Sequence, residues 1–373
     1  MAGIYLHIPF CRKACHYCNF HFSTTHHRIP EMMQAIGKEA LLRKDYLTEP
    51  VETIYWGGGT PSLLEISDIE QILQQLKAYY SISPQTEITL ETNPDDIHPE
   101  KLIAWRKAGI NRLSIGIQSF EEQDLQWMNR AHTAAQSLRS IQQVKEAGFT
   151  NITIDLIYGT PGLTDEHWEK NINTALDLQI PHLSCYALTV EPKTALAGMI
   201  RKQEVADVDP GQQARQFALL TQKTALAGME QYEISNFALP GFRSRHNSSY
   251  WQGKPYLGLG PSAHSFNGYS RQWNIANNSL YLAAIEKGGI PFEAEILTET
   301  QQLNEYIMTG LRTMEGISLE KIRTAWGSDK AAAIHKAAEK YITQGKVRFS
   351  GDALQLEEAG KFFADGIAAD LFQ

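Results

Sequence analysis

The sequence of 373 residues has few cysteines, no excess of basic charge and no internal repeat. It contains 42 acidic and 34 basic side chains, so its net charge is −8. Sequence-independent binding of nucleic acid requires a basic protein surface, and we therefore expect no nucleic acid partner. The first residues, MAGIYLHIPF, lack a basic segment followed by an apolar one, and no later run is apolar over the roughly 20 residues of a membrane span. These absences predict a cytoplasmic protein.

Three of the four cysteines lie together near the start, as Cys11, Cys15 and Cys18, whereas Cys185 stands alone in an apolar run. In a reducing compartment such clustering indicates a metal site more often than disulfides. Three thiolates on one short loop can bind three corners of a [4Fe–4S] cube and leave one iron open to another ligand. We interpret Cys185 as a small buried apolar residue.

A structural zinc site is the alternative for the same cysteines, with His16 or His21 as the fourth ligand. Zinc loops usually carry their ligands as two separated pairs, and this loop does not. The spacing therefore favours the iron–sulfur cluster.

Short β-rich runs alternate with amphipathic helical stretches over the first half, a pattern typical of parallel βα units. The six predicted strands are 4–8, 52–57, 87–92, 112–117, 152–159 and 182–189. Six units predict an α/β fold, a partial (β/α)6 TIM-like barrel over 1–200. We expect a connecting region over 201–290. A mainly helical C-terminal domain with a small winged-helix-like β element is expected over 291–373.

Polar and glycine residues follow the predicted strands at the ends where a βα barrel builds its active site. Bare glycine backbone lets carbonyl groups approach a ligand ammonium, and carboxylate or amide side chains can bind ribose hydroxyls. An arginine can pair with a carboxylate through two parallel hydrogen bonds. These groups suit S-adenosylmethionine (SAM) chelating the open iron. The residues are Gly58, Gly59, Thr60, Glu91, Gln118, Arg130 and Asp155.

The sequence resembles the HemN/HemW family of radical SAM proteins along nearly its whole length. The matching segments are YLHIPFCRKACHYCNF, YWGGGTPSLL, LETNP, RLSIGIQSF, MNRAH, IDLIYGTPG and the C-terminal third. The resemblance implies a radical SAM barrel with a [4Fe–4S] cluster on Cys11, Cys15 and Cys18. It also implies contacts to SAM from Tyr5, Gly58, Gly59, Thr60, Glu91, Gln118, Arg130 and Asp155, and contact of Tyr17 with a second SAM.

Features of the sequence separate it from the dehydrogenase branch of this family, which oxidatively decarboxylates coproporphyrinogen III. Only ten residues precede Cys11, where that branch has a long extension, and Phe20 stands in place of a fourth cysteine. HNSSYW at 246–251 matches an H-N-x-x-Y-W element of the haem chaperone branch. The resemblance therefore implies a chaperone that binds haem and delivers it to acceptor haem proteins, including membrane-associated respiratory proteins, and it allows a homodimer.

The HNSSYW segment combines an imidazole that can bind haem iron with two aromatic faces that can pack on a porphyrin. We expect His246 to be the axial ligand, whereas His26, His27 and His264 are expected to be solvated or hydrogen-bonding residues. The dehydrogenase reaction is the alternative function, and whether the protein is an enzyme stays open here.

Overall fold

The computed structural model describes residues 2–373, and its first half consists of consecutive βα units. Strand β1 is buried on both faces, with Ile4 and Leu6 on one face and His7 on the other. The strands are β1 Ala2–Ile8, β2 Val51–Gly58, β3 Ile82–Thr92, β4 Arg112–Gln118, β5 Ile152–Tyr158 and β6 His182–Ala187. The helices between them are α1 Ile29–Leu42, α2 Ile66–Tyr79, α3 Pro99–Ala108, α4 Glu122–Trp127, α5 Ala134–Glu146 and α6 Asp165–Asp177.

Strands β1 to β6 pair in parallel in their chain order, so their carboxyl ends meet at one edge of the sheet. The helices between them begin and end at local signals. Thr133 caps α5 through a capping box, and Gly109 ends α3 with φ 104°, a left-handed conformation that glycine adopts without strain. The predicted partial (β/α)6 barrel is confirmed.

The segment expected to connect the two domains adds strands to both edges of this barrel sheet. Strand β9 pairs in parallel with β1, and β8 pairs antiparallel with β6, within one sheet of 12 strands. Strand β12 continues the sheet beyond β11. The elements are α7 Ala195–Arg201, α8 Pro210–Leu226, β7 Glu230–Glu233, β8 Asn236–Ala238, α9 Arg245–Trp251, β9 Tyr256–Leu259, β10 His264–Phe266, β11 Ser270–Asn274, α10 Asn278–Glu286 and β12 Phe292–Ile296.

The last part of the chain has its own hydrophobic core, built around residues such as Ile307, Ile334 and Leu354. Its three short strands form an antiparallel sheet in the order β13-β15-β14, which confirms the expected helical domain with a small β element. The elements are α11 Glu299–Leu311, β13 Ile317–Ser318, α12 Leu319–Trp326, α13 Ser328–Thr343, β14 Val347–Ser350, β15 Ala353–Leu356, α14 Glu358–Lys361 and α15 Ala364–Asp370. Across residues 2–373, none of the helices has the length and apolarity that a membrane crossing requires.

Candidate functional site

A cavity of about 550 Å³ lies at the carboxyl edge of the parallel strands. It is lined by almost every residue that the sequence assigned to the cluster and to SAM: Cys11, Cys15, Tyr17, Cys18, Gly58, Gly59, Thr60, Glu91, Gln118, Arg130 and Asp155. The order of the strands explains this convergence, since these residues lie on the parallel strands β1 to β5 or in the segments that follow them. Tyr5 and His246 lie outside this cavity, which we call the cluster cavity.

The loop with the three cysteines is attached to the glycine turn after β2. The Gly59 N–H donates to the Ile8 carbonyl at 2.8 Å, and the Thr60 N–H donates to the Phe10 carbonyl at 2.7 Å. A Cβ atom on Gly59 would lie 2.5 Å from that Phe10 carbonyl oxygen, so only glycine allows this approach. The glycine turn after β2, which is predicted to contact SAM, therefore also holds the start of the cysteine loop through these two hydrogen bonds.

The cysteine thiols are partly buried, and burial raises the pKa of Cys11 to about 11 and raises that of Cys18. Metal binding requires thiolates, whose charge a positive cluster offsets.

Within residues 2–373 no group of three or more His, Cys, Asp or Glu side chains could hold a single metal ion. A cube instead binds each thiolate to a different iron. Since neither His16 nor His21 lines the cavity, the donor set fits a cube with one open iron better than zinc.

Two carboxyl groups lie in the barrel interior beneath the cysteine loop. The Tyr55 hydroxyl donates to Glu91 Oε1 at 2.7 Å, and burial raises the pKa of Glu91 to about 7. Burial also raises the pKa of Asp155 to about 6, against the opposing effects of Arg112 and Ser184. Carboxylates of this kind can accept hydrogen bonds from an ammonium group or from ribose hydroxyls.

Gln118 ends β4 in a left-handed conformation, with φ 66°. Such a backbone is uncommon for a residue with a Cβ atom and tends to occur at functional sites. Here it lies where the Gln118 side chain lines the cluster cavity.

Arg130 lies in the cluster cavity next to the cysteines. Its terminal nitrogens donate to Asn93 Oδ1 at 2.7 Å, to the Gly116 carbonyl at 2.8 Å and to Cys15 Sγ at 3.3 Å. Its Nε is buried and has no hydrogen-bond partner within residues 2–373. An unpaired buried guanidinium donor fits a site for a ligand carboxylate.

Asn93 was missed by the sequence analysis, although it lies within the quoted LETNP segment. Besides accepting from Arg130, it donates from Nδ2 to Thr60 Oγ1 at 3.2 Å. It thereby joins the glycine turn to the arginine. Its position two residues after Glu91, at the end of the same strand, was the available signal.

Tyr5 and His246 belong to a buried aromatic cluster around Tyr55, the residue that donates to Glu91. The His246 ring stacks on Tyr55 with centroids 5.0 Å apart, and Tyr5 stacks on the same Tyr55. His246 is only 1% exposed, its Nδ1 lies 2.8 Å from Thr53 Oγ1, and its Nε2 lies 2.8 Å from the Tyr250 hydroxyl. Burial lowers the pKa of His246 to about 3. Both of its ring nitrogens are therefore engaged.

A second cavity, of about 690 Å³, lies beside this cluster and is called the aromatic cavity below. Its walls come from β1, from the end of α9, from the sheet edge at β9 to β11 and from the C-terminal helices α11 and α12. They include Tyr5, Tyr250, Trp251, Tyr256, Phe266, Tyr306 and Trp326. Phe20, whose side chain is 66% exposed, lines both cavities, so the two adjoin at this residue.

Two family models match the chain. The model of the radical SAM superfamily matches residues 5–175, and that of the HemN C-terminal domain matches residues 297–363.

Relatives of similar length also match. The heme chaperone HemW of Bacillus subtilis is 33% identical over 98% of this chain and 98% of its own. A mouse protein, radical S-adenosyl methionine domain-containing protein 1, mitochondrial, is 30% identical over 99% of this chain and 87% of its own. Among solved structures, coproporphyrinogen III oxidase (HemN) from Escherichia coli superposes with a TM-score of 0.84. It is 22% identical and the match covers 100% of this chain and 90% of that one, a likeness of fold.

Proposed function

Because the chain belongs to the family of radical SAM proteins that contains the heme chaperone HemW, we propose that it binds haem and delivers it to acceptor haem proteins. This proposal includes a cytoplasmic location and a [4Fe–4S] cluster with SAM on the same barrel. The observation that carries it is the aromatic cavity next to the cluster cavity, because its wall includes both aromatic residues of the HNSSYW segment.

In the cluster cavity, Cys11, Cys15 and Cys18 would hold the cluster. When bound, the cluster and SAM supply reductive cleavage of the sulfonium to a carbon radical. The unpaired Arg130 Nε would bind the methionine carboxylate. Glu91 and Asp155 would accept hydrogen bonds from the ammonium and ribose groups, and the Gly58–Gly59 backbone would admit the ligand closely. Tyr17, which lines the same cavity, is proposed as the contact to a second SAM.

The aromatic cavity has the chemistry that a porphyrin requires. Aromatic side chains of its wall, such as Tyr250 and Trp251, can pack against a flat apolar macrocycle. The Trp251 indole N–H is buried without a partner within residues 2–373, so a donor is also present. Lys321 lies 4.1 Å from the Tyr306 ring and forms no ion pair within these residues. Its ammonium can therefore pair with a haem propionate.

The expectation that His246 binds the haem iron is the alternative to ligation by a histidine of the cavity wall. In the structure its Nε2 lies within hydrogen-bond distance of Tyr250 and its Nδ1 within hydrogen-bond distance of Thr53. To bind iron, the ring would have to release one of these partners.

A binding and turnover experiment distinguishes a haem carrier from a coproporphyrinogen III dehydrogenase. Protein purified without oxygen is incubated with haem, and in parallel with coproporphyrinogen III, SAM and a reductant. We expect a stoichiometric haem complex that passes haem to an apo-protein acceptor, and no carbon dioxide from the porphyrinogen. Porphyrinogen turnover without haem binding would replace the carrier function with the dehydrogenase reaction.

A further inference from the structure

Two histidines line the aromatic cavity, and they differ in whether a ring nitrogen is free to bind iron. His7 has Nδ1 3.1 Å from the Tyr5 hydroxyl and Nε2 2.8 Å from the His21 carbonyl oxygen. His264 has no hydrogen bond to either ring nitrogen from any of residues 2–373. His246, behind the wall, has both nitrogens engaged. His264 is therefore the one of these three with an unoccupied lone pair.

The local sheet geometry holds the His264 ring without using its nitrogens. His264 is exposed, begins β10 and pairs across the ladder with Trp273, on whose ring it stacks with centroids 6.3 Å apart. Phe266 lies two residues further on the same face, and its cross-strand partner Arg271 lies over its ring. The imidazole is thus oriented by packing, as a metal ligand needs to be.

The surroundings of His264 suit an iron that brings most of its own ligands. Among the residues that line the aromatic cavity, no three His, Cys, Asp or Glu side chains come together to hold a bare ion. A porphyrin supplies the equatorial ligands and needs only an axial one. Partial burial, and then the Arg271 charge, lower the pKa of His264, which favours the neutral imidazole that binds iron.

We infer that His264 is the axial ligand of haem iron in the aromatic cavity, an inference that rests on the proposed haem carrier function. His246 is then a positioning residue, because its contact with the Tyr250 hydroxyl fixes the aromatic wall on which the porphyrin packs. A single exposed ligand also fits transfer, since an incoming acceptor can replace it from the solvent side.

The experiment compares His264→Ala and His246→Ala in full-length, cluster-loaded protein with ferric haem. His335→Ala is the matched control, because His335 is also exposed and stacks on an aromatic ring, Phe349, but does not line the cavity. Magnetic circular dichroism in the Soret region distinguishes haem ligation from the broad cluster absorbance. We expect His264→Ala to change the haem signal and to weaken binding by roughly tenfold or more, with added imidazole restoring the signal. His246→Ala should weaken binding but keep the histidine-ligated signal.

The outcomes are distinguishable. A His264→Ala protein with the wild-type haem signal, or a loss of histidine ligation only in His246→Ala, would overturn the assignment of His264 while leaving the carrier function intact. A wild-type protein that binds no haem would remove the carrier function itself. Retained iron content in each variant shows that the barrel has folded.

Discussion

At the scale of single residues, the unpaired Nε of Arg130 makes a quantitative prediction about SAM. Losing a charge-assisted hydrogen bond costs about 1.5–3 kcal/mol, so Arg130→Ala should weaken SAM binding by roughly ten- to a hundredfold. Calorimetric titration of cluster-loaded protein measures this loss. Arg139→Ala, an exposed arginine on α5, is the control. Because Arg130 also contacts Cys15, iron content is measured in parallel, and unchanged SAM affinity would contradict the assignment.

The carboxyl groups predict how SAM binding depends on pH. Burial raises the pKa of Glu91 to about 7 and that of Asp155 to about 6. SAM carries a sulfonium and an ammonium charge, so it is bound best when both groups are ionised. Protonation as the pH falls through these pKa values removes that attraction, and SAM affinity should fall. Titrations between about pH 8 and pH 5.5 should show the decrease, and Glu91→Gln should reduce its upper part. Affinity that rises as the pH falls would contradict this role.

Residue types and spacing predicted most of the cluster cavity, because its residues lie on the parallel strands or in the segments that follow them. Asn93 was missed, since an asparagine before a proline is equally typical of a turn. The surroundings of His246 could not be predicted either. His246 and its hydrogen-bond partner Thr53 are 193 positions apart in the sequence. No local pattern therefore shows that both ring nitrogens of His246 are engaged.

At the scale of elements, the cysteine loop after β1 should hold about four irons per chain, as a [4Fe–4S] cube requires. Replacing Cys11, Cys15 or Cys18 by Ala should abolish the brown colour and the bound iron. Cys185→Ala is the matched control, because that thiol is 2% exposed on β6 and does not line the cavity. Iron and zinc analysis of protein isolated without oxygen checks this. Colourless protein with stoichiometric zinc would contradict the cluster.

The six barrel strands could be predicted because each spans six or more residues, most of them buried, between helical segments. Strands β7 to β11 span three to five residues, too short for a periodicity to be recognised. Strand β12, FEAEI, alternates apolar and charged residues, but five residues are too few for the pattern to be distinctive, and every position is exposed. The parallel pairing of β9 with β1 joins residues about 250 positions apart and depends on the tertiary fold.

At the scale of the whole molecule, the two cavities differ in which parts of the chain they join. The cluster cavity is lined by the barrel alone, whereas the aromatic cavity lies between the barrel sheet and helices α11 and α12. The Arg271–Glu305 ion pair, with Nε 2.7 Å from Oε1, joins the two parts in the wall of the aromatic cavity. The Met314 N–H, which donates to the Tyr232 carbonyl at 3.1 Å, joins them elsewhere. Haem bound in the aromatic cavity would contact both parts.

Hydrogen exchange should therefore report the two ligands in different places. A ligand that binds only the native state suppresses the local openings that expose its site. Haem should slow amide exchange in α9, β10 and α12 together, whereas SAM should slow it in the cysteine loop and at the ends of β2 to β5. Mass spectrometry of oxygen-free samples with haem, with SAM and with neither measures this. Protection by haem that left Leu319–Trp326 unchanged would contradict a site shared by the two parts, because α12 supplies Lys321 and Trp326 to its wall.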